Sequence, residues 1–306
     1  MRAICIGECM VELRDAGDGL FGRGFAGDAY NTAVYLKRSA PHLAVSFLTA
    51  TGEGSMSGAM RAAWAEQGID GDLAYALPGA EPGLYLIELN AAGDRSFHYW
   101  RSASPARDWL GALSRDGGAE RLAGADLVFL SGISLAILSD EDRVRAGALI
   151  GALRGRAGLI AFDTNIRASL WRGADEARAA MAPMLDGADI VRASRDDAAW
   201  LFGETSTSGQ IAALRAAGVR ELVLTRDAEG CVLVDEHGRE TVLPAPPTTV
   251  RDTSGAGDSF NGGYLAARLS GAAPDQAAQA GLAVASRVCT WRGAIAPVDI
   301  SHPRMM

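Results

Sequence analysis

Three small residues, Gly255, Ala256 and Gly257, run straight into a carboxylate, Asp258, inside the stretch DTSGAGDSFNGGY (252–264). An amphipathic run follows, so these four residues stand where a helix should begin. A helix start carries unpaired backbone N–H groups and partial positive charge. Glycines let a phosphate approach such a backbone closely. A carboxylate at the same place repels a bound phosphate, which makes Asp258 a poor phosphate ligand and a good general base beside one. The chemistry described is phosphoryl transfer to a hydroxyl, with Gly255–Asp258 as the anion hole. By composition alone, the same residues also suit a glycine-rich turn whose Asp caps a helix.

Other polar groups stand at places where a ligand could meet them. Gly27, Asp28 and Asn31 lead into a helix-like run, and their side chains suit sugar hydroxyls or an ordinary cap. Asn165 and Arg167, in Asp163-Thr-Asn-Ile-Arg, follow an apolar strand; ligands in parallel sheets sit beyond the carboxyl ends of strands. Arg167 can pair with a carboxylate or a phosphate. Tyr85, Tyr99 and Arg101 fall in two strand-like runs whose same-face residues are two apart, so a hairpin would bring them near one another. The same aromatics also suit an edge strand used for dimer contact. Thr225 and Gly230 flank a turn after another strand, and Ser194 follows the strand before it.

Composition removes several classes. The chain has 306 residues and a formal net charge of −8, which argues against nucleic acid as a partner. Lys37 is the sole lysine, so no GxxxxGK[ST] loop exists and Schiff-base chemistry would have to use that one residue. No run approaches the ~20 apolar residues that span a bilayer. The opening MRAICIGECMVEL lacks the basic start of a secretory leader, and the expectation is a soluble, cytoplasmic protein with no membrane partner. Cys5, Cys9, Cys231 and Cys289 form no CxxC pair and read as buried small hydrophobes.

These residues need a scaffold, and the pattern supplies one. Short apolar runs at 2–7, 44–50, 126–131, 159–163, 190–193 and 221–225 alternate with helical runs, among them 28–38, capped by Asp28, and 55–67. Such alternation predicts a doubly wound, mostly parallel α/β sheet with helices on both faces. A second hairpin is expected over 231–243, around Gly238, and two closing helices over 256–269 and 275–291. The runs at 83–89 and 95–101, joined by a turn at 91–94, do not fit the alternation. Together with strand-like pieces near 9–26 they predict a small β-sheet lid on a single domain spanning 1–306.

The stretch 252–264 closely resembles the C-terminal motif of the ribokinase-like (PfkB) carbohydrate kinases, and the resemblance runs from Gly7 to Pro297. Narrower runs, IGECMVEL, GDAYNTAVYL, PGLYLIE with FHYWR, LSGISLAILS, DTNIRASLW and RGAIAP, resemble the 2-dehydro-3-deoxygluconokinase group within that family. The resemblance implies a ribokinase-like fold and transfer of the γ-phosphate of ATP to the 6-hydroxyl of a sugar acid, with Mg²⁺ on the phosphates. It implies sugar-acid contacts at Gly27, Asp28, Asn31, Tyr85, Tyr99, Arg101, Arg167 and Asp258. Nucleotide contacts fall on Asn165, Arg167, Ser194, Thr225, Gly230, Gly255 and Gly257, and a K⁺ ion near Asp252. Ala26 and Asp227 depart from glycines of the family pattern. A neutral sugar would leave Arg101 unpaired under this reading. A fructokinase or a silent sugar-acid-binding regulator are the alternatives, the latter disfavoured by the intact Asp258. A homodimer or higher homo-oligomer is expected to cover the lid edge.

Overall fold

Alternating side chains along nearly continuous apolar strands build two cores at once. The computed structural model describes residues 1–89 and 95–297; the expected turn at 91–94 lies outside the described residues. In chain order the strands are Arg2–Ile6 (β1), Met10–Gly17 (β2), Leu20–Ala26 (β3), Ala44–Gly52 (β4), Ile69–Asp70 (β5), Ala74–Leu77 (β6) and Leu84–Leu89 (β7). Arg95–Trp100 (β8), Leu127–Ser131 (β9), Leu159–Asp163 (β10), Ile190–Ser194 (β11), Glu221–Thr225 (β12), Cys231–Val234 (β13) and Glu240–Leu243 (β14) follow.

The main sheet runs β14-β13-β12-β11-β10-β9-β1-β4-β5, with β6 also on β4. From β12 through β4 its neighbours are parallel; β13 and β14 return as the expected antiparallel hairpin. Ile4, Ile6, Val128, Leu130, Ile160 and Phe162 face one core. Ala3, Cys5, Leu127, Phe129 and Ala161 face the other. This period of two, with both faces covered, is why the strands read as apolar runs and not as half-polar ones. Helices Asp140–Leu153 and Ala174–Gly187 cover the first face; Asp28–Ser39, Ala256–Leu269 and Pro274–Val288 cover the second. The fold is the doubly wound, mostly parallel α/β arrangement expected from the sequence.

The second sheet, β3-β2-β7-β8, is the small lid predicted from 9–26 and 83–101. Tyr85 lies opposite Tyr99 in the β7–β8 register, as the hairpin required. Tyr99, at 49%, and Trp100, at 59%, stay exposed on this sheet. One expectation is corrected, and two short strands are added. Asp28 does not cap the first helix; Gly27 is the N-cap and Asp28 is the first helical residue. The short strands β5 and β6 beside β4, two and four residues long, are too short to register as strands in the sequence pattern. All four cysteines are free and buried, as expected of small core residues. Lys37 donates to the carbonyls of Pro41 and Leu43, a structural use of the sole lysine.

Candidate active site

The helix Ala256–Leu269 begins at the predicted residue, with Gly255 as N-cap at φ 73°, the left-handed region that glycine favours. Its first intrahelical bond runs from Ser259 N–H to the Gly255 carbonyl at 2.8 Å. The N–H groups of Gly257 and Asp258 therefore have no intrahelical acceptor. Packing also dictates the glycines. A Cβ at Gly255 would sit 2.5 Å from the Ala294 carbonyl oxygen, and one at Gly257 only 2.9 Å from Arg192 Nη1. Tyr35 holds the covering segment from below, donating to the Ala294 carbonyl at 2.8 Å and accepting from Ala296 N–H at 2.9 Å.

Asp258 lines a cavity of about 280 Å³ between the helix start and the lid, together with Asp28, Asn31, Tyr85, Arg101 and Arg167. Asn31 Nδ2 donates to Asp258 Oδ2 at 2.8 Å. Burial pushes the Asp258 carboxyl up to about 7, helped by the negative charges of Asp28 and Asp163 and opposed by Asn31 and Arg167. A carboxylate poised there exchanges a proton near neutrality, which suits a general base. Asn165, at φ 30°, donates through Nδ2 to Asp28 Oδ2 at 2.8 Å. It thus braces Asp28 behind the cavity wall. Arg167 is exposed at the mouth, with Nη1 donating to the Ile166 carbonyl at 3.0 Å.

Behind Asp258 lies a polar network that the sequence did not announce. Asp163 accepts Arg192 Nη1 at 3.1 and 3.2 Å, Asn261 Nδ2 at 2.7 Å and Asn165 N–H at 3.2 Å. Arg192 Nη2 donates to Thr225 Oγ1 at 2.9 Å. Arg192 sits within an apolar strand, and the one available signal was a charged residue in a run that should be buried on both faces.

The far wall belongs to the lid. Arg101 stacks over the Tyr99 ring at 5.9 Å, and the Tyr85 and Tyr99 rings lie 5.8 Å apart. The expected cluster of Tyr85, Tyr99 and Arg101 therefore forms. The argument that a neutral sugar would leave Arg101 unpaired does not survive: Arg101 Nη2 donates to Glu8, whose side chain is 1% exposed. Arg101 itself is 11% exposed, and its Nε is buried without a partner among the described residues. Burial pushes the Glu8 carboxyl up, and the Arg101 charge pulls it back. Tyr85 donates to Glu12, which also takes Arg14 Nε at 3.0 Å. Two acids inside the apolar run IGECMVEL were the signal for these pairs, because a buried acid needs a cation or donor.

The other nucleotide-side candidates stand apart from this cavity. Ser194 caps the helix Arg195–Phe202, accepting Asp197 N–H at 3.0 Å. Gly230 packs on β14, where a Cβ would meet the Leu243 carbonyl at 2.0 Å. Asp227, where the family pattern has glycine, adopts φ 51°, a glycine-like backbone. Asp252 is buried; its carboxylate accepts Ser254 N–H at 2.8 Å and Gly293 N–H at 2.5 Å. Among the described residues no group of three or more His, Cys, Asp or Glu is placed to hold a metal by itself.

A base at a helix N-terminus, facing a cavity with fixed cations, can deprotonate a hydroxyl beside a bound anion. Comparison with known proteins points the same way. Residues 2–301 match the model of the pfkB family of carbohydrate kinases. The chain is 41% identical over 299 residues to the 2-dehydro-3-deoxygluconokinase of Dickeya dadantii (strain 3937), covering 96% of each. The crystal structure of a PfkB protein from Polaromonas sp. JS666 superposes with TM-score 0.82 at 26% identity, over 94% of this chain and 95% of that one. The aminoimidazole riboside kinase of Salmonella enterica, solved with aminoimidazole riboside and an ATP analog, shares the fold at TM-score 0.82 and 21% identity, over 96% and 95%. No helix among the described residues is long and apolar enough to cross a membrane.

Proposed function

The chain belongs to the pfkB family of carbohydrate kinases, and from that premise we propose that it transfers the γ-phosphate of ATP to the 6-hydroxyl of 2-dehydro-3-deoxy-D-gluconate. The observation that carries the reading is Asp258, poised near neutrality at the helix start and facing the cavity under the lid. Asp258 takes the proton of the attacking hydroxyl. The new bond joins O6 to the γ-phosphorus, the bond from that phosphorus to the bridging oxygen breaks, and ADP leaves. N–H groups at Gly255–Asp258 stabilise charge on the transferring group. Those groups fit a phosphate, because the first turn is free of side chains at Gly255 and Gly257.

Sugar hydroxyls meet Gly27, Asp28, Asn31, Tyr85 and Tyr99, and the carboxylate faces Arg101 and Arg167. ATP lies toward Thr225, Ser194 and Gly230, with Asn165 and Arg167 at its phosphate end. Mg²⁺ would come with the ATP phosphates and supply charge neutralisation there. A potassium ion beside the Asp252 carboxylate would complete a loop already tied by two backbone N–H groups. The exposed Trp100 supports a homodimer through that sheet, and the net charge of −8 suits a small-molecule enzyme of the cytoplasm.

ADP release with ATP and Mg²⁺ tests the reading, comparing 2-dehydro-3-deoxygluconate, its galactonate epimer, fructose and ribose. Strong preference for the acids supports it; turnover on fructose or ribose alone discards the acid and keeps the base. The Glu8–Arg101 pair favours one second reading, a neutral-sugar kinase such as a fructokinase, because Arg101 is already compensated. The same panel separates the two.

A further inference from the structure

We infer that Arg192 is a positioning residue for the transfer step: its guanidinium backs the first turn of the helix Ala256–Leu269 and supplies a fixed positive charge behind the Gly255–Asp258 hole. The inference rests on the proposed role of Asp258. Its test is chosen to fail separately from that role.

Arg192 is 14% exposed and does not line the cavity. Its guanidinium lies where a Gly257 side chain would be, with Nη1, Nη2 and Cζ at 2.9, 3.0 and 3.1 Å from an ideal Cβ. A buried cation beside the positive end of a helix is an unfavourable choice if packing is the only need. A methionine would fill that space without desolvating a charge. What a cation adds is potential. Asp163 places a full negative charge behind the hole, and Arg192 holds both of its oxygens. Without Arg192, that charge would act on the incoming phosphoryl group and on Asp258 together.

The groups facing Asp258 make the balance explicit. Asp28 and Tyr35 approach from the first helix, Asp163 from β10, Arg167 from the segment after it, and Arg192 from β11. Burial draws the Arg192 pKa down, but Asp163, Asp197 and Asp258 more than reverse this, so the guanidinium stays charged. Remove it, and two acids face Asp258 with only the Asn31 amide and exposed Arg167 opposing them.

The test uses the full chain with Arg192→Lys, Arg192→Gln and Arg192→Met, each checked by thermal melting. ADP release gives kcat, both KM values and the acid limb of kcat/KM against pH. Gln and Met should lower kcat about 10- to 100-fold, short of the ~10²–10³ for losing a direct oxyanion donor. They should also move the acid limb up by about one pH unit, the lower end of what a nearby charge does, with the sugar KM unchanged. Lys should leave the limb at its wild-type position. A limb that stays put in all three variants overturns the inference, as does a Lys variant that shifts as far as Gln. Should Met fail to fold, the Lys–Gln pair decides alone. Asp258→Asn, run alongside, separates the two failures: full activity there sinks the base, while a dead Asp258→Asn with an unmoved Gln limb sinks only Arg192.

Discussion

The two ends of the cavity handle buried carboxylates in opposite ways. At the lid end Glu8 is raised by burial but directly paired with a cation, Arg101, and Glu12 is held by Tyr85 and Arg14. At the sheet end Asp258 has one close donor, Asn31, and its nearest charged neighbours include Asp28 and Asp163. Matched acids hold a shape. The under-matched one is pushed to about 7 and can trade a proton near neutral pH. Under the proposed function the difference assigns chemistry to one end and recognition to the other, although both ends are lined by the same residue types.

The sharpest way to break this contrast is Asp258→Asn. Turnover should fall by ~10²–10⁴, the usual worth of a positioned base. ATP binding, measured by calorimetry, should persist. In the wild-type protein the base must be ionised to act, so kcat/KM should decline as pH drops through about 7. An acid limb near pH 4 would mean that Asp258 is well matched after all, and the contrast would fail.

Next in size is Arg101→Ala at the recognition end. The KM for the sugar acid should rise about 10- to 100-fold, equivalent to the ~1.5–3 kcal/mol of a hydrogen bond to a charged group. The KM for ATP should not follow. Equal rises in both would make Arg101 a strut of the lid and nothing more. A smaller effect tests its partner: Glu8→Gln keeps the shape but releases Arg101 from compensation. Affinity for the acid should then improve a few-fold, in line with the ~0.5–1.5 kcal/mol of one hydrogen bond. Weaker binding instead would mean that Glu8 must be charged to hold Arg101 in place.

How much of this was readable in the chain follows distance along it. The helix at 256–269 and the facing of Tyr85 and Tyr99 depend on neighbours a few residues away, and periodicity exposes them. The bond from Asn31 to Asp258 joins residues 227 apart, and Asn165 to Asp28 joins residues 137 apart. Only the winding of the sheet brings those pairs together. The choice of Gly27 over Asp28 as cap turned on one residue of backbone geometry, finer than propensity resolves. Glycines at 255 and 257 were read as room for a phosphate; contacts with Ala294 and Arg192 equally forbid a side chain there, and no local rule reveals such neighbours.

The smallest expected effect concerns stability, and it asks whether Asp258 is strained as the contrast requires. Its folded pKa, about 7, lies above the 3.8 of an ordinary Asp. Below about pH 4 the group is protonated in both folded and unfolded chains and contributes no difference. Between pH 4 and 7 the unfolded chain releases a proton that the folded protein retains, so stability falls as pH rises. Above 7 the full cost of the ionised, poorly matched carboxylate is present and constant. Asparagine carries no such cost. Asp258→Asn should therefore melt higher than wild type at pH 8, by about 2–4 °C for each kcal/mol relieved, and the gap should close toward pH 4. Melting curves at the two pH values decide it: an equal gap at both, or a variant less stable at pH 8, would mean that the carboxylate is well matched after all, and that its place at the helix start is structural.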